Sequence, residues 1–197
     1  MREYTERTIE HYDKSARAYF EGTAAVVVNA QIDQFINLLQ GQKVLDLACG
    51  PGHDSNYLSE KGLICFGADL SANMLSIAEQ HQAGEFVRMN FFQLGFAENA
   101  FDGVWASSAV VHTDRVDLPG VLANLRKVIK NQGILGIITV KKTDRQENPN
   151  DPRKYSLYGQ RELEQYLERA EFEILISDVF EYGGKDRLFI IAKNNKE

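Results

Sequence analysis

Residues 44–54 read Val-Leu-Asp-Leu-Ala-Cys-Gly-Pro-Gly-His-Asp, and residues 67–71 read Gly-Ala-Asp-Leu-Ser. In the first stretch an apolar run carries Asp46, a loop of small residues follows, and a helical stretch opens near Gly52. In the second, another apolar run ends in Asp69, 19 positions after Gly50. This is the chemistry of a nucleoside-binding turn. Glycines let the backbone approach a ligand, the start of a helix offers free N–H groups, and an acid closing the next strand can accept hydrogen bonds from both ribose hydroxyls. The spacing is close to the ~20 residues such an acid requires. A plain strand-to-helix connection could also use the glycines. The placement of both acids and the βα alternation around them favour the nucleoside reading.

The loop also narrows the ligand. A dinucleotide fingerprint needs a third glycine for close helix packing, but the frame Gly50-Pro51-Gly52-His53-Asp54-Ser55 ends in serine. Asp46 and Asp54 would repel a diphosphate and attract an ammonium or sulfonium. No Gly-Lys-Ser/Thr follows, which excludes a phosphate-binding P-loop.

The elements that must hold these residues follow from periodicity. Ile9, Tyr12, Ala16, Tyr19 and Phe20 fall at helical spacing, with Glu21-Gly22-Thr23 read as the break, and a second helix carries Ile32, Phe35, Ile36 and Leu39. Strands are expected over 43–47, 63–68, 86–89, 101–106 and 134–140, with helices over 54–61, 71–82 and 118–129 between them, the last ended by Asn131-Gln132-Gly133. Ser71 reads as a helix cap. Residues 141–157 are polar, a surface loop long enough for a lid. A helix over 159–170 precedes two strands, 172–180 and 187–192, joined through Tyr182-Gly183-Gly184-Lys185, a hairpin signal. The pattern is a doubly wound α/β sheet. One domain spans 1–197, with 1–40 as a helical N-terminal lid and 41–197 as the core.

Composition bounds the rest. The 197 residues carry a net charge of -6 with a sequence pI of 5.3, which gives no general attraction to nucleic acid or anionic membranes. No apolar run approaches a membrane span and the N-terminus lacks a signal peptide's apolar core. Cys49 and Cys65 are too few for a disulfide scaffold or a zinc site, so no metal is expected and a reducing cytoplasm is the default setting.

With these residues in place, the chain resembles the class I S-adenosylmethionine-dependent methyltransferases over about residues 40–193. Val44 to Gly52 is similar to the family's Asp/Glu-x-Gly-x-Gly-x-Gly motif, with Ala48 in place of the first glycine. Gly67-Ala-Asp-Leu-Ser71 with Asn73-Met74-Leu75 resembles its second motif, Asn99 to Trp105 its fourth-strand entry, and Leu125 to Leu135 its "L-x-x-L-x-P-G-G-x-L" segment. The resemblance implies a mostly parallel seven-stranded sheet of order 3-2-1-4-5-7-6, with helices on both faces and N-terminal lid helices. It implies that Asp46 and the backbone of Ala48, Cys49 and Gly50 surround the methionine part of the cofactor, with Gly52 at the helix start. Asp69 would take the ribose, Leu70 and Met74 would sandwich adenine, Asn90 and Phe91 would lie near the adenine amino group, and Ala106 and Ser107 beneath the methionine tail. Tyr12 and Tyr19 resemble lid tyrosines, though seven-residue spacing on an amphipathic helix also suits ordinary packing.

Ser107 to Asp114 lacks the Asn/Asp-Pro-Pro-aromatic signature of nucleic-acid amino methyltransferases and resembles the "hxxLxH" stretch of small-molecule enzymes. His112 is the candidate base, or else a histidine that shapes the pocket. Tyr155, Tyr158 and Arg187 are candidates to border the acceptor, and Cys49 reads as a packing residue. The expected activity is methyl transfer from S-adenosylmethionine to O, N or S of a small molecule, leaving S-adenosylhomocysteine, by a monomer without nucleic-acid or membrane partners. Two other readings are a non-catalytic S-adenosylmethionine sensor or partner subunit, and an NAD-dependent oxidoreductase, which Asp54 and Ser55 disfavour.

Overall fold

The computed structural model describes residues 3–23, 28–142 and 150–196; part of the loop expected as a lid, 143–149, lies outside the described residues. Two helices come first, α1 (Glu3–Thr23) and α2 (Asn29–Ile36). Then strands and helices alternate as β1 (Lys43–Leu47), α3 (His53–Glu60), β2 (Ile64–Asp69), α4 (Ala72–His81), β3 (Glu85–Arg88), β4 (Phe101–Ser107), α5 (Leu118–Val128), β5 (Ile129–Val140), α6 (Gln160–Arg169), β6 (Phe172–Tyr182) and β7 (Lys185–Asn194). The sheet order is β3-β2-β1-β4-β5-β7-β6, the one expected. β7 runs antiparallel to both β5 and β6, and the other pairings are parallel.

The central strands bury both faces, so their apolar runs are nearly unbroken. On one face Leu45, Leu47, Val104, Ala106, Leu135 and Ile137 pack beneath α5 and α6, which bury Leu118, Val121, Leu122, Leu125 and Val128, and Leu163 and Leu167. The i, i+3, i+4, i+7 spacing in α5 makes that apolar stripe. Each such side chain contributes ~1.5–3 kcal/mol on burial. On the other face Val44, Trp105, Ile138, Phe189 and Ile191 meet Ile32 and Phe35 of α2 and Leu58 of α3. α2 therefore covers the core, and α1 alone of the two N-terminal helices reaches the cavity described below.

Of the boundaries that differ from expectation, three have a clear physical cause. α1 continues through Gly22 to Thr23, since one exposed glycine costs a helix only ~1 kcal/mol. α2 ends at Ile36, and Leu39 packs from the following turn. The fifth strand begins at Ile129, because Asn131-Gln132-Gly133 does not stop a helix but bulges a strand. Ile129 pairs with Phe101, the register shifts before Gly103 meets Ile134, and Gln132 takes a φ of 63°. Among the described residues no helix is long and apolar enough to cross a membrane, and no cluster of three metal-ligating side chains occurs.

Candidate functional site

In open parallel sheets, ligands bind beyond the carboxyl ends of the strands. A cavity of about 400 Å³ lies there, walled by the β1–α3 loop, the end of β2, the segment after β4, α1, and the β6–β7 hairpin. That volume is within the range for small-molecule sites, ~300–1,000 Å³.

Three carboxylates converge on it. Asp46, 2 % exposed, accepts a hydrogen bond from Ser55 Oγ at 2.6 Å. Asp54, in the first turn of α3, accepts from Trp105 Nε1 at 2.8 Å. Asp69 accepts from the backbone N–H groups of Gly50 at 2.9 Å and Ser71 at 2.8 Å, which ties the glycine loop to the end of β2. Burial pushes all three carboxyls above the usual carboxylate range. At Asp46 the charge of Asp54 adds to this, and at Asp54 and Asp69 the hydrogen bonds oppose it without prevailing. One buried and two half-buried acids that resist ionisation form a site complementary to a cation.

The glycine loop is bent to serve this wall. Ala48 and Gly50 have φ of 56° and 54°, and Gly52, at the start of α3, has 83°. A Cβ on Gly52 would lie 3.1 Å from Ala78, Gln82 and Phe86 atoms, so this glycine serves helix packing. Burial pushes the thiols of Cys49 and Cys65 up, which keeps both protonated.

The opposite wall is aromatic. His112 sits in a 3-10 turn, Val110–His112. Its Nδ1 lies 2.7 Å from the Lys154 carbonyl oxygen, which can only accept, so Nδ1 carries the proton. Nε2 then accepts from the Tyr12 hydroxyl at 3.0 Å. Burial pushes His112 down to about 4, which makes it a neutral imidazole near pH 7. Tyr12 also meets Tyr19 edge-on at 5.7 Å, and His112 meets Tyr155 at 5.2 Å. Arg153 lies over Tyr155 at 4.8 Å.

Residues 44–133 match the family model described as "Methyltransferase domain". The chain is similar to a phosphoethanolamine N-methyltransferase of Arabidopsis thaliana, 26% identical over 187 residues that cover 89% of this chain and 38% of that one. It is also similar to a malonyl-[acyl-carrier protein] O-methyltransferase of Pectobacterium atrosepticum, 31% identical over 146 residues, covering 66% of this chain and 55% of that one. The chain thus spans about four-tenths to just over half the length of these relatives. A solved structure of Burkholderia thailandensis 1,6-didemethyltoxoflavin-N1-methyltransferase, with its substrate and S-adenosylhomocysteine bound, shares the fold at TM-score 0.77. It is 20% identical and covers 98% of this chain and 90% of that one. Over residues 44–133 the chain matches the methyltransferase-domain family, and its whole sheet has the fold of the S-adenosylmethionine-dependent methyltransferases.

Within this methyltransferase fold, the residues singled out from the sequence divide by place. Tyr12, Tyr19, Asp46, Ala48, Cys49, Gly50, Asp69, Leu70, Met74, Phe91, Ser107 and His112 all line the cavity. Gly52, Asn90 and Ala106 do not. Ala106, on β4, is fully buried in the core on the α5–α6 face of the sheet. Asn90 Oδ1 accepts from the Phe92 N–H at 2.9 Å, a local turn that occupies the carbonyl, and the residue faces a separate shallow depression. Of the acceptor candidates, Tyr155 and Arg187 reach the cavity. Tyr158 does not: its ring is fully buried and its hydroxyl donates to the Thr113 carbonyl at 2.9 Å.

Several residues at or beside the cavity carried no signal of a site in the sequence. Asp13 on α1 accepts from Ser71 Oγ and from the Asn73 N–H, so it sits beside the N-terminus of α4 and docks α1 there. Ile9, Thr8, Val111, Ile138 and Lys185 line the cavity from four separate segments. Only Ser71 announced itself, as a helix cap, and its Oγ does accept from the Met74 N–H at 3.1 Å.

Proposed function

We propose that this chain binds S-adenosylmethionine in the cavity and moves its methyl group to O, N or S of a small-molecule acceptor. The observation that carries the reading is the convergence of Asp46, Asp54 and Asp69 on one cavity beside a glycine loop. Their raised affinity for protons in the absence of a cation fits a ligand bearing an ammonium and a sulfonium, and it fits a diphosphate poorly. Asp69, with one oxygen on Gly50 and the other on Ser71, keeps lone pairs for ribose hydroxyls. Met74 and Leu70, across from Phe91, supply an apolar slot for a base. Asp46 and the loop backbone take the methionine end.

Bound there, S-adenosylmethionine would supply an electrophilic methyl group, with S-adenosylhomocysteine as the leaving product. What the chain contributes is position and exclusion of water. Tyr12 and Tyr19 on α1 close over the site. His112, engaged at both ring nitrogens, positions Tyr12; to act as a base on the acceptor's proton it would first have to exchange the Tyr12 hydroxyl for the acceptor. Its depressed affinity for protons keeps the lone pair available across physiological pH.

The low net charge and the missing nucleic-acid signature support a small acceptor. The same reading has the chain working as a single copy in the cytoplasm, which light scattering and fractionation check. The deciding experiment is calorimetry with S-adenosylmethionine, S-adenosylhomocysteine and NAD, on the wild type and on Asp69→Ala. Micromolar binding of the first two, none of NAD, and loss of at least ~tenfold in affinity in the variant are expected. Binding without methyl transfer to any of a broad set of acceptors would favour a sensor, and binding of NAD alone would overturn the reading.

A further inference from the structure

The cavity is divided by charge. Its acids all lie on the β1–β2 side. On the far side, where β7 begins, stand Lys185 and Arg187. Because β7 is antiparallel to β5, its first residues reach the same rim as the ends of β4 and β5. Arg187 is opposite Val140 on one side and Phe180 on the other. Ser107, Ser108, Ile138 and Val140 line the floor between it and the glycine loop.

Arg187 is underused. Its Nε is buried and has no hydrogen-bond partner. Its guanidinium carbon lies 5.5 Å from the centre of the Tyr182 ring, a cation–π contact that uses none of its N–H donors. The carboxylates nearby are committed elsewhere: Asp186 is 3.7 Å from Lys141, Asp54 takes Trp105, and Asp69 takes two backbone N–H groups. Among the described residues no carboxylate pairs with Arg187 or with Lys185. A buried guanidinium donor without a partner is costly, and its fork matches an oxyanion.

We propose that Arg187, with Lys185 at the mouth, binds an oxyanion on the acceptor, a carboxylate or a phosphate, and so selects anionic small molecules as substrates. The inference rests on the methyl-transfer reading above and names the substrate class of that site. The two charged walls would then orient a ternary complex: the cationic end of the cofactor toward the acids, the anionic end of the acceptor toward β7, and the acceptor's nucleophilic atom between them.

The test uses the full chain loaded with S-adenosylhomocysteine and titrated separately with inorganic phosphate and with acetate, followed by amide NMR. Saturable shifts at Lys185 to Arg187 are expected for at least one anion, and which one tells phosphate from carboxylate. In Arg187→Met the anion affinity should fall by ~tenfold or more, while S-adenosylhomocysteine affinity stays within ~twofold. Arg187→Lys, which keeps the charge without the fork, should fall between and serves if the methionine variant does not fold. Unsaturable shifts, or equal anion binding in the variants, would overturn the proposal. So would a ~tenfold loss of S-adenosylhomocysteine affinity in Arg187→Met, which would assign the arginine to the cofactor's own carboxylate. If the wild type fails to bind S-adenosylhomocysteine, the methyl-transfer reading fails instead, and phosphate titration of the empty protein still decides whether Arg187 holds an anion.

Discussion

At the scale of single residues, the cavity wall trades stability for shape. Ala48 holds a φ of 56°, in the left-handed region where a Cβ crowds the following carbonyl at a cost of ~1–2 kcal/mol. Ala48→Gly relieves that strain but loses part of it to greater freedom in the unfolded chain, so a net gain of ~0.5–1 kcal/mol in urea unfolding is expected. No gain would mean the loop gives up something else with the methyl group. His112 carries a second residue-scale prediction. His112→Ala should lower turnover at least ~tenfold while changing cofactor affinity little, because it releases Tyr12 without touching the acids. The wild-type rate should show no inflection near pH 6.5 from this imidazole, since burial holds it down to about 4 and it is neutral above that. Unchanged turnover in the variant would remove His112 from the chemistry.

At the scale of elements, α1 decides whether the site is covered. Its docking is polar at one end and aromatic at the other. Asp13 takes Ser71 Oγ and two groups of Asn73 contact the same residue, while Phe20 stacks between His53 and His81 with ring centres 5.0 Å from each. Across the cavity, the Lys154 N–H donates to Thr8 Oγ1 at 2.9 Å, which ties α1 to the segment before α6. None of these contacts belongs to the sheet core, so α1 is held by bonds that can open locally. Asp13→Ala should therefore raise hydrogen exchange along α1 and weaken cofactor binding by ~3–10-fold, with β1, β4 and β5 protection unchanged. Protection lost throughout the sheet, or none lost in α1, would show that the helix is not a separately docked cover.

At the scale of the whole molecule, the buried acids link stability to the ligand. Asp46, Asp54 and Asp69 bind protons more tightly folded than unfolded. Their contribution to stability is complete below the unfolded pKa of ~3.9 and is lost as pH rises through the raised folded values. Asp151 works the other way: hydrogen bonds from Arg153 hold it down to about 2, so its contribution is present above ~3.9 and is lost as pH falls from there through about 2. His112, held down to about 4 by burial, opposes the acids as pH falls below ~6.5, and a cation in the site should add stability at neutral pH by favouring the ionised acids. The rise in Tm with saturating S-adenosylmethionine should grow from pH 5 to pH 7, and grow more than the rise with S-adenosylhomocysteine, which lacks the sulfonium. Equal, pH-independent shifts for the two ligands would show that the acids do not read the charge.

The sequence by itself determined the sheet. Runs such as 43–47 and 134–140 can be stable only between two layers of helices, and the hairpin glycines 183 and 184 dictate the antiparallel end. It also determined the acidic wall of the cavity, because Asp46, the glycine loop, Asp69 and Ser71 lie within 26 consecutive residues and act through local geometry. Where local signals were ambiguous they misled. Asn131-Gln132-Gly133 reads as a stop but bulges a strand, and Tyr158 reads as a loop tyrosine but fills the core. What only the tertiary structure decided is the far wall. Asp13 meets Asn73 across 60 residues, Tyr12 meets His112 across 100, and Arg187 arrives on a strand that pairs with β5. Such pairings depend on how α1 and β7 are laid against the sheet. No spacing along the chain encodes them.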